Sequence, residues 1–408
     1  MAAVPKAHEE RAAGLAEQSW FEFWLCRIWL PLGLFIQLTG FFWLPNTHIY
    51  KVNVTNILLL AALLSLFNRE AWRMALRSTL FPLILLYLFY MSAVAVLRQN
   101  PEPLACAHWS VYIALYIFAI GLRLQLTPRA VQLLLSVAAI ICAAAVLYGV
   151  GYDLLYRHRW SETYRLTGYA TLYNPLRSGH LFGFFYIAAL WRAFANEERT
   201  LRWPFVFIAA ICLIGIVFTG SRAPLLGAAL AGSYLIFFAA KAPVRRISLL
   251  ISTVALVVVC ALFWQQLTER GLSLRPQIWS HVLKLWQAQP WFGAGYNAPL
   301  DISLRFIRDD FYDAHNIVLA VLYYGGIVGV LLFGLVHGTA LVRACRRQRS
   351  SAGALLASSL MIYGLIALQF DGGSIIGRPN EFWLLLWFPI ALLLNVEKNS
   401  SLPVNRRI

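Results

Sequence analysis

The sequence predicts an all-α polytopic membrane protein of about twelve transmembrane helices, and three observations lead there. Of the 408 residues, 60% are hydrophobic and only 13% charged. With a mean hydropathy of +0.66, a soluble fold of this length would have too little polar surface to cover its apolar mass. The apolar residues form continuous runs long enough to cross a bilayer, about 20 residues each, where a β-barrel would show short alternating segments. Basic residues between the runs favour alternate loops, as topology requires.

Taken in order, the chain opens with a polar tail over residues 1–20. The apolar run after Gln18 is too long for a signal-peptide core and has no cleavage site, so it stays as a first transmembrane helix. Spans are expected near 21–44, 53–67, 80–97, 104–121, 130–149, 178–195, 203–219, 223–240, 247–264, 316–336, 352–370 and 381–396. The second is the shortest. Arg27, within the first, either has a buried partner or snorkels to the interface. The chain thus divides into a tail (1–20), nine helices with a loop at 150–177 (21–264), a long loop (265–315), three helices (316–396) and a second tail (397–408).

Loops on one side carry Arg69, Arg73, Arg77; Arg123, Arg129; Arg192, Arg199, Arg202; Lys241, Arg245, Arg246; and Arg343, Arg346, Arg347, Arg349. Both tails belong to that side, so both termini are expected in the cytoplasm. The net charge of +16 reflects this topology and contact with anionic membrane lipid. The bases are dispersed among loops, which argues against nucleic acid. Five of the six cysteines lie in or at the ends of apolar runs, so neither a structural disulfide nor a zinc site is expected.

Two outward loops break the charge bias. Residues 265–316 hold Arg270, Arg275, His281, Lys284, Arg305, Arg308, Asp309, Asp310, Asp313 and His315. The loop at 150–177 mixes Arg157, Arg159, Arg165 and Arg177 with Tyr156, Trp160, Tyr164, Tyr169 and Tyr173. Guanidinium forks with aromatic faces suit phosphate and sugar; they also suit a belt at the lipid headgroups. Arg222, in the tight turn Thr219-Gly220-Ser221-Arg222, either meets a lipid-linked phosphate or snorkels.

Pro276 opens a short helix to Gln287, with Ile278, Trp279, Val282, Leu283, Leu285 and Trp286 on one face. Such a helix lies in the outer interface, and Arg275 at its start is placed for an anion. The Gly293-x-Gly295 turn follows no strand, so a nucleotide fold is not indicated. Asp309-Asp310-Phe311-Tyr312-Asp313 matches a metal–diphosphate string, but Arg308 beside it pairs such acids equally well, and no metal is expected. His315 opens the tenth span beside Asp313, which is near enough in sequence to orient its ring. The residue is a candidate general base, or simply a cap. His108, His180 and His337 read as packing or cavity residues, and Gly325-Gly326 with Gly329 as close helix packing.

RPQIWSHVLKLWQAQPWFGAGYN followed by AHNIVLAVLYYGGIVGVLLF resembles the bacterial O-antigen ligase and O-antigen polymerase superfamily. TGSRAP at 219–224 and RLTGYATLYNP at 165–175 match two further features. The family often has Gly directly before the helix arginine; here it is Leu274. The resemblance implies a GT-C-like, inverting membrane glycosyltransferase with a periplasmic active site, no cofactor and no metal. It implies an undecaprenyl-pyrophosphate-linked glycan as donor and lipid A–core as acceptor. Family arginines that handle pyrophosphate map to Arg222 and Arg275, with Arg165 a further candidate; the family histidine maps to His315. Asp313, Asn316, Arg159 and Tyr173 are candidates for orienting that histidine or meeting the acceptor. The rivals are an O-antigen polymerase, a protein O-oligosaccharyltransferase and, from another class, a twelve-helix transporter. Sparse intramembrane charge speaks against the last.

Overall fold

The computed structural model describes residues 20–100, 102–158, 164–194, 199–241, 243–247, 274–300, 302, 313–373 and 375–401, with isolated positions between 250 and 261. It is all-helical. The helices are α1 (Trp20–Trp43), α2 (Thr47–Phe67), then a short basic helix α3 (Arg69–Arg77), α4 (Leu80–Leu97), α5 (Pro103–Arg123) and α6 (Pro128–Leu155). They continue with α7 (Pro175–Phe194), α8 (Arg202–Phe218) and α9 (Arg222–Ala239). After the short α10 (Arg275–Trp286) come α11 (Ile317–Arg347), α12 (Ala352–Ala367) and α13 (383–401). Among the described residues, seven of these are long and apolar enough to cross a bilayer, and α8 and α12 are shorter apolar helices. The ninth expected span lies almost wholly outside the described residues.

Boundaries shift where polar groups find partners. The second span begins at Thr47, six residues before the apolar run, because Asn46 caps it by accepting the Ile49 N–H at 2.9 Å. α6 runs six residues beyond the expected 149. Asp153 in that extension is buried and accepts a hydrogen bond from the Tyr164 hydroxyl at 3.0 Å, so the helix continues where composition suggests loop. α11 continues to Arg347 because Arg343 and Arg347 reach Glu397 of α13 at 2.6 and 3.0 Å. Arg27 is exposed and lies over Phe23, the snorkelling alternative.

The centre of the bundle is α7. Every residue from Ser178 to Ala193 is buried, and α6, α8, α9 and α12 enclose it. Gly179 and Gly183 permit this. A Cβ at Gly183 would lie 2.1 Å from the Tyr363 hydroxyl, which donates to the carbonyls of Gly179 and His180 at 3.2 and 2.8 Å.

Gly325 packs closely as expected, since a Cβ there would lie 2.7 Å from Met91 Sδ on α4, but Gly326 does more than pack. Gly326 sits at φ 64°, ψ −165°, and the helix breaks there. The turn at 290–295 enters the break. The Ala294 and Gly295 N–H groups donate to the carbonyls of Tyr323 and Tyr324 at 2.8 and 2.9 Å. In return Ile327 and Val328 donate to the carbonyls of Pro290 and Trp291 at 2.9 and 3.2 Å. A broken transmembrane helix is tolerated only where neighbouring protein satisfies the freed backbone, and this turn does so. Arg98 and Asn100 hold its other side, donating to the carbonyls of Gly293, Ala294 and Tyr296. The 290–296 segment of the long loop is therefore anchored inside the bundle.

Candidate active site

His315, Arg275, Arg222 and Asp371 come from four separate segments and meet at one end of the bundle. Each is held by local chemistry. Asn316 caps α11: its carbonyl oxygen accepts the Leu319 N–H at 2.9 Å and its amide donates to the Gln369 carbonyl at 2.8 Å. His315, just before, adopts a left-handed backbone with φ 47°. Its N–H donates to Asp313 Oδ1 at 3.0 Å, a local turn that favours this conformation.

The ring of His315 faces a different carboxylate. Its Nδ1 lies 3.5 Å from Asp371 Oδ1. Asp371 follows α12 in a loop pressed onto the start of α11: a Cβ at Gly372 would lie 2.2 Å from Ile317 N, and one at Gly373 2.4 Å from Asp313 Oδ2. The other oxygen, Oδ2, lies 3.6 Å from Nδ1 of His180 on α7. Sequence reasoning does not single out Asp371, and it reads His180 as a packing or cavity residue. The only signal is DGGS after an apolar span: an isolated acid beside two glycines.

Arg275 is the first residue of α10, which Pro276 opens as expected. The helix buries Ile278 and Val282 against Ala320 and Tyr323 of α11, and the Trp279 ring lies 6.0 Å from that of Phe370, tilted by 39°. It is thus docked on the mouth of α11 rather than only lying at the interface. Arg275 is half-buried, and both Asp371 and Arg222 act on it electrostatically. Arg222 opens α9 after the turn at Gly220, φ 61°. Arg165 holds that turn: Nε donates to the Thr219 carbonyl at 2.7 Å and Nη2 to Ser221 Oγ at 3.2 Å.

The electrostatics follow. Hydrogen bonding to Asp371, helped by the charges of Asp313 and Asp371, raises the His315 pKa above its ordinary value, against burial and Arg275. Burial raises the Asp313 pKa, opposed by the His315 N–H and imidazole. Burial lowers that of Arg275, and the like charge of Arg222 adds to this. A histidine oriented by a carboxylate can take a proton, and two neighbouring arginines can bind an anion.

Of the other expected residues, Tyr173 is exposed, with the Arg177 guanidinium 5.4 Å from its ring centre. Arg177 itself pairs with Glu381 at 3.0 Å. Arg159 and most of the Asp309–Asp313 string lie outside the described residues. Among the described residues no group of three or more His, Cys, Asp or Glu is placed to hold a metal.

Fold and site together define a multi-pass membrane protein with a polar, arginine-rich site at one end of its helix bundle. Residues 207–334 match the family model described as O-antigen ligase. Over 387 residues the sequence is 33% identical to an O-antigen ligase of Pseudomonas aeruginosa PAO1, covering 93% of each chain. The chain belongs to the O-antigen ligase family.

Proposed function

We propose that the protein transfers O-antigen polysaccharide from undecaprenyl pyrophosphate to a sugar hydroxyl of lipid A–core. In this reading it is an inner-membrane glycosyltransferase with cytoplasmic termini and a periplasmic site, inverting and metal-independent. One observation carries it: a carboxylate-oriented histidine stands beside two arginines at one end of the bundle. Those groups match the needs of the chemistry.

A sugar hydroxyl is a weak nucleophile. His315 takes its proton as the oxygen bonds to C1 of the donor sugar, from the face opposite the leaving group. The bond from C1 to the pyrophosphate oxygen breaks, and its electron pair leaves with that oxygen. Asp371 sets the imidazole's orientation and stabilises the imidazolium. Arg222 and Arg275 face the charge that grows on the pyrophosphate, a service worth about 2.7–4 kcal/mol per well-placed donor. Arg165 contributes by holding the turn that aims Arg222. Pyrophosphate leaves as a weak base, so no general acid is required. Asp313 and Asn316 fix the backbone around the base, and Tyr173 is left exposed for the acceptor side.

The test is transfer in proteoliposomes from an undecaprenyl-pyrophosphate-linked glycan to lipid A–core with EDTA present. Glycosylated lipid A–core that is lost in His315→Ala supports the proposal. No transfer to lipid A–core, but extension of another lipid-linked glycan, would make the protein a polymerase. Activity abolished by EDTA would overturn the metal-independent mechanism.

A further inference from the structure

We infer that His180 is a positioning residue for the transfer reaction, holding Asp371 so that the carboxylate's other oxygen stays on His315. The inference rests on the reading of His315 as the base.

His180 is 0% exposed, in the second turn of the most enclosed helix of the bundle. Its neighbours on α7 are Leu181, Phe182, Phe184 and Phe185, all buried. Simple packing would be served there by another apolar side chain, since a buried imidazole gives up its hydration. Neither ring nitrogen makes a conventional hydrogen bond to a side chain, yet Nδ1 points at Asp371 Oδ2 from 3.6 Å. The Ala367 carbonyl at the end of α12 also faces the ring. The backbone of His180 is located independently, by the Tyr363 hydroxyl on its carbonyl at 2.8 Å. What the imidazole adds is the contact with Asp371.

Asp371 needs that contact. The glycines after it fix its backbone against Ile317 and Asp313, but not the rotation of its side chain. Arg275 attracts it on the site side. One imidazole per oxygen makes a two-sided clamp, His315 from α11 and His180 from α7. One turn earlier on α7, Arg177 grips Glu381 at the far end of the same loop, so α7 holds the Asp371 loop at both ends. Without His180 the carboxylate is free to turn toward Arg275 and away from His315.

The experiment compares His180→Leu and His180→Gln in the full-length protein in proteoliposomes, with the same donor and acceptor across pH. Leu removes the N–H donor, whereas Gln retains one. For His180→Leu the expected result is a kcat loss of about 10- to 100-fold, the range for outer partners that orient metal-bound histidines, carried over to a base held in the same way, with donor KM little changed. The acid limb of the rate profile should move to lower pH, because His315 loses part of its carboxylate. Other charges facing this pair are Asp313, Arg275, Arg222, Arg177 and Glu381, and all remain in the variant. Gln should restore most of the rate. In an Asp371→Asn background the Leu substitution should cost little more, since both act through one contact.

An unchanged acid limb, kcat and KM falling together, and losses that add with Asp371→Asn would make His180 a packing residue only. If His180→Leu does not fold, His180→Asn decides, because its shorter amide does not reach Asp371. A lower kcat, an acid limb moved to lower pH and non-additivity with Asp371→Asn support the clamp; wild-type behaviour or an additive loss overturns it. If Asp371→Asn itself leaves rate and limb intact, the reading of the whole site fails. If Asp371→Asn abolishes turnover while both His180 variants behave as wild type, only the His180 assignment fails.

Discussion

Replacing Gly326 by Ala should remove the platform on which the site is built. At φ 64° and ψ −165°, Gly326 occupies a region essentially closed to other residues. An added Cβ would lie 2.3 Å from the Trp291 carbonyl oxygen and 2.6 Å from Gly293 N. Both are backbone atoms, so no side chain can swing aside. The turn at 290–295 must withdraw by roughly 1 Å to reach van der Waals separation, and the four hydrogen bonds that join it to the helix break are lost or badly bent. At about 0.5–1.5 kcal/mol net each, those bonds represent about 2–6 kcal/mol. The residue's own strain adds about 1–3 kcal/mol. Gly334 supplies the control. It lies in the same helix and is exposed, and a Cβ added there would meet nothing within 4 Å; Ala at this position should be neutral or stabilising by up to about 1 kcal/mol. The assay is the rate of irreversible unfolding in detergent at fixed temperature, followed by size-exclusion chromatography, with transfer activity on the surviving fraction. Gly326→Ala should unfold far faster than Gly334→Ala and lose activity in the folded remainder, because α10 and Arg275 hang from the displaced turn. Equal unfolding rates and full transfer in the two variants would refute the reasoning.

Other expectations concern the chemistry. Turnover should rise with pH through the His315 pKa, since the base must be neutral; that pKa is raised, so the acid limb should lie above the ordinary imidazole value of 6.5, and Asp371→Asn should lower it. Rate profiles of the two proteins check this. Arg222→Ala and Arg275→Ala should each lower kcat/KM about 10²–10³-fold, read by initial rates with the lipid-linked donor. Arg165→Ala should lower it less, and Arg165→Lys should not recover it, because two separate nitrogens of one fork bind Thr219 and Ser221.

Much of this is legible in the sequence, for identifiable reasons. Apolar runs mark spans because the bilayer imposes length and hydropathy directly. The α10 helix is legible because Pro276 starts it and Ile278 and Val282 recur at helical spacing. His315 stands out as a titratable group in a charged loop. Asp371 does not, since its role depends on a partner 56 residues away in sequence, and an isolated acid in a short loop has no local pattern. Gly325-Gly326 tells only half its role, because a glycine pair looks alike whether it only packs a helix or also breaks one. What decides is the turn at 290–295, and only the fold brings that turn to the break. The extension of α6 is hidden for a similar reason: Asp153 looks like loop composition until Tyr164 is placed beside it.

The left-handed backbone at His315 also governs which replacement reports on chemistry. Alanine there removes the imidazole and, at the same time, puts a Cβ in a left-handed conformation that alanine rarely adopts, with only the Asp313 turn left to favour it. Asparagine is among the few residues that adopt this conformation readily, and its amide is no proton acceptor at working pH. His315→Asn therefore separates loss of the base from loss of the bend that starts α11, and donor affinity retained alongside absent turnover would assign the defect to proton transfer alone.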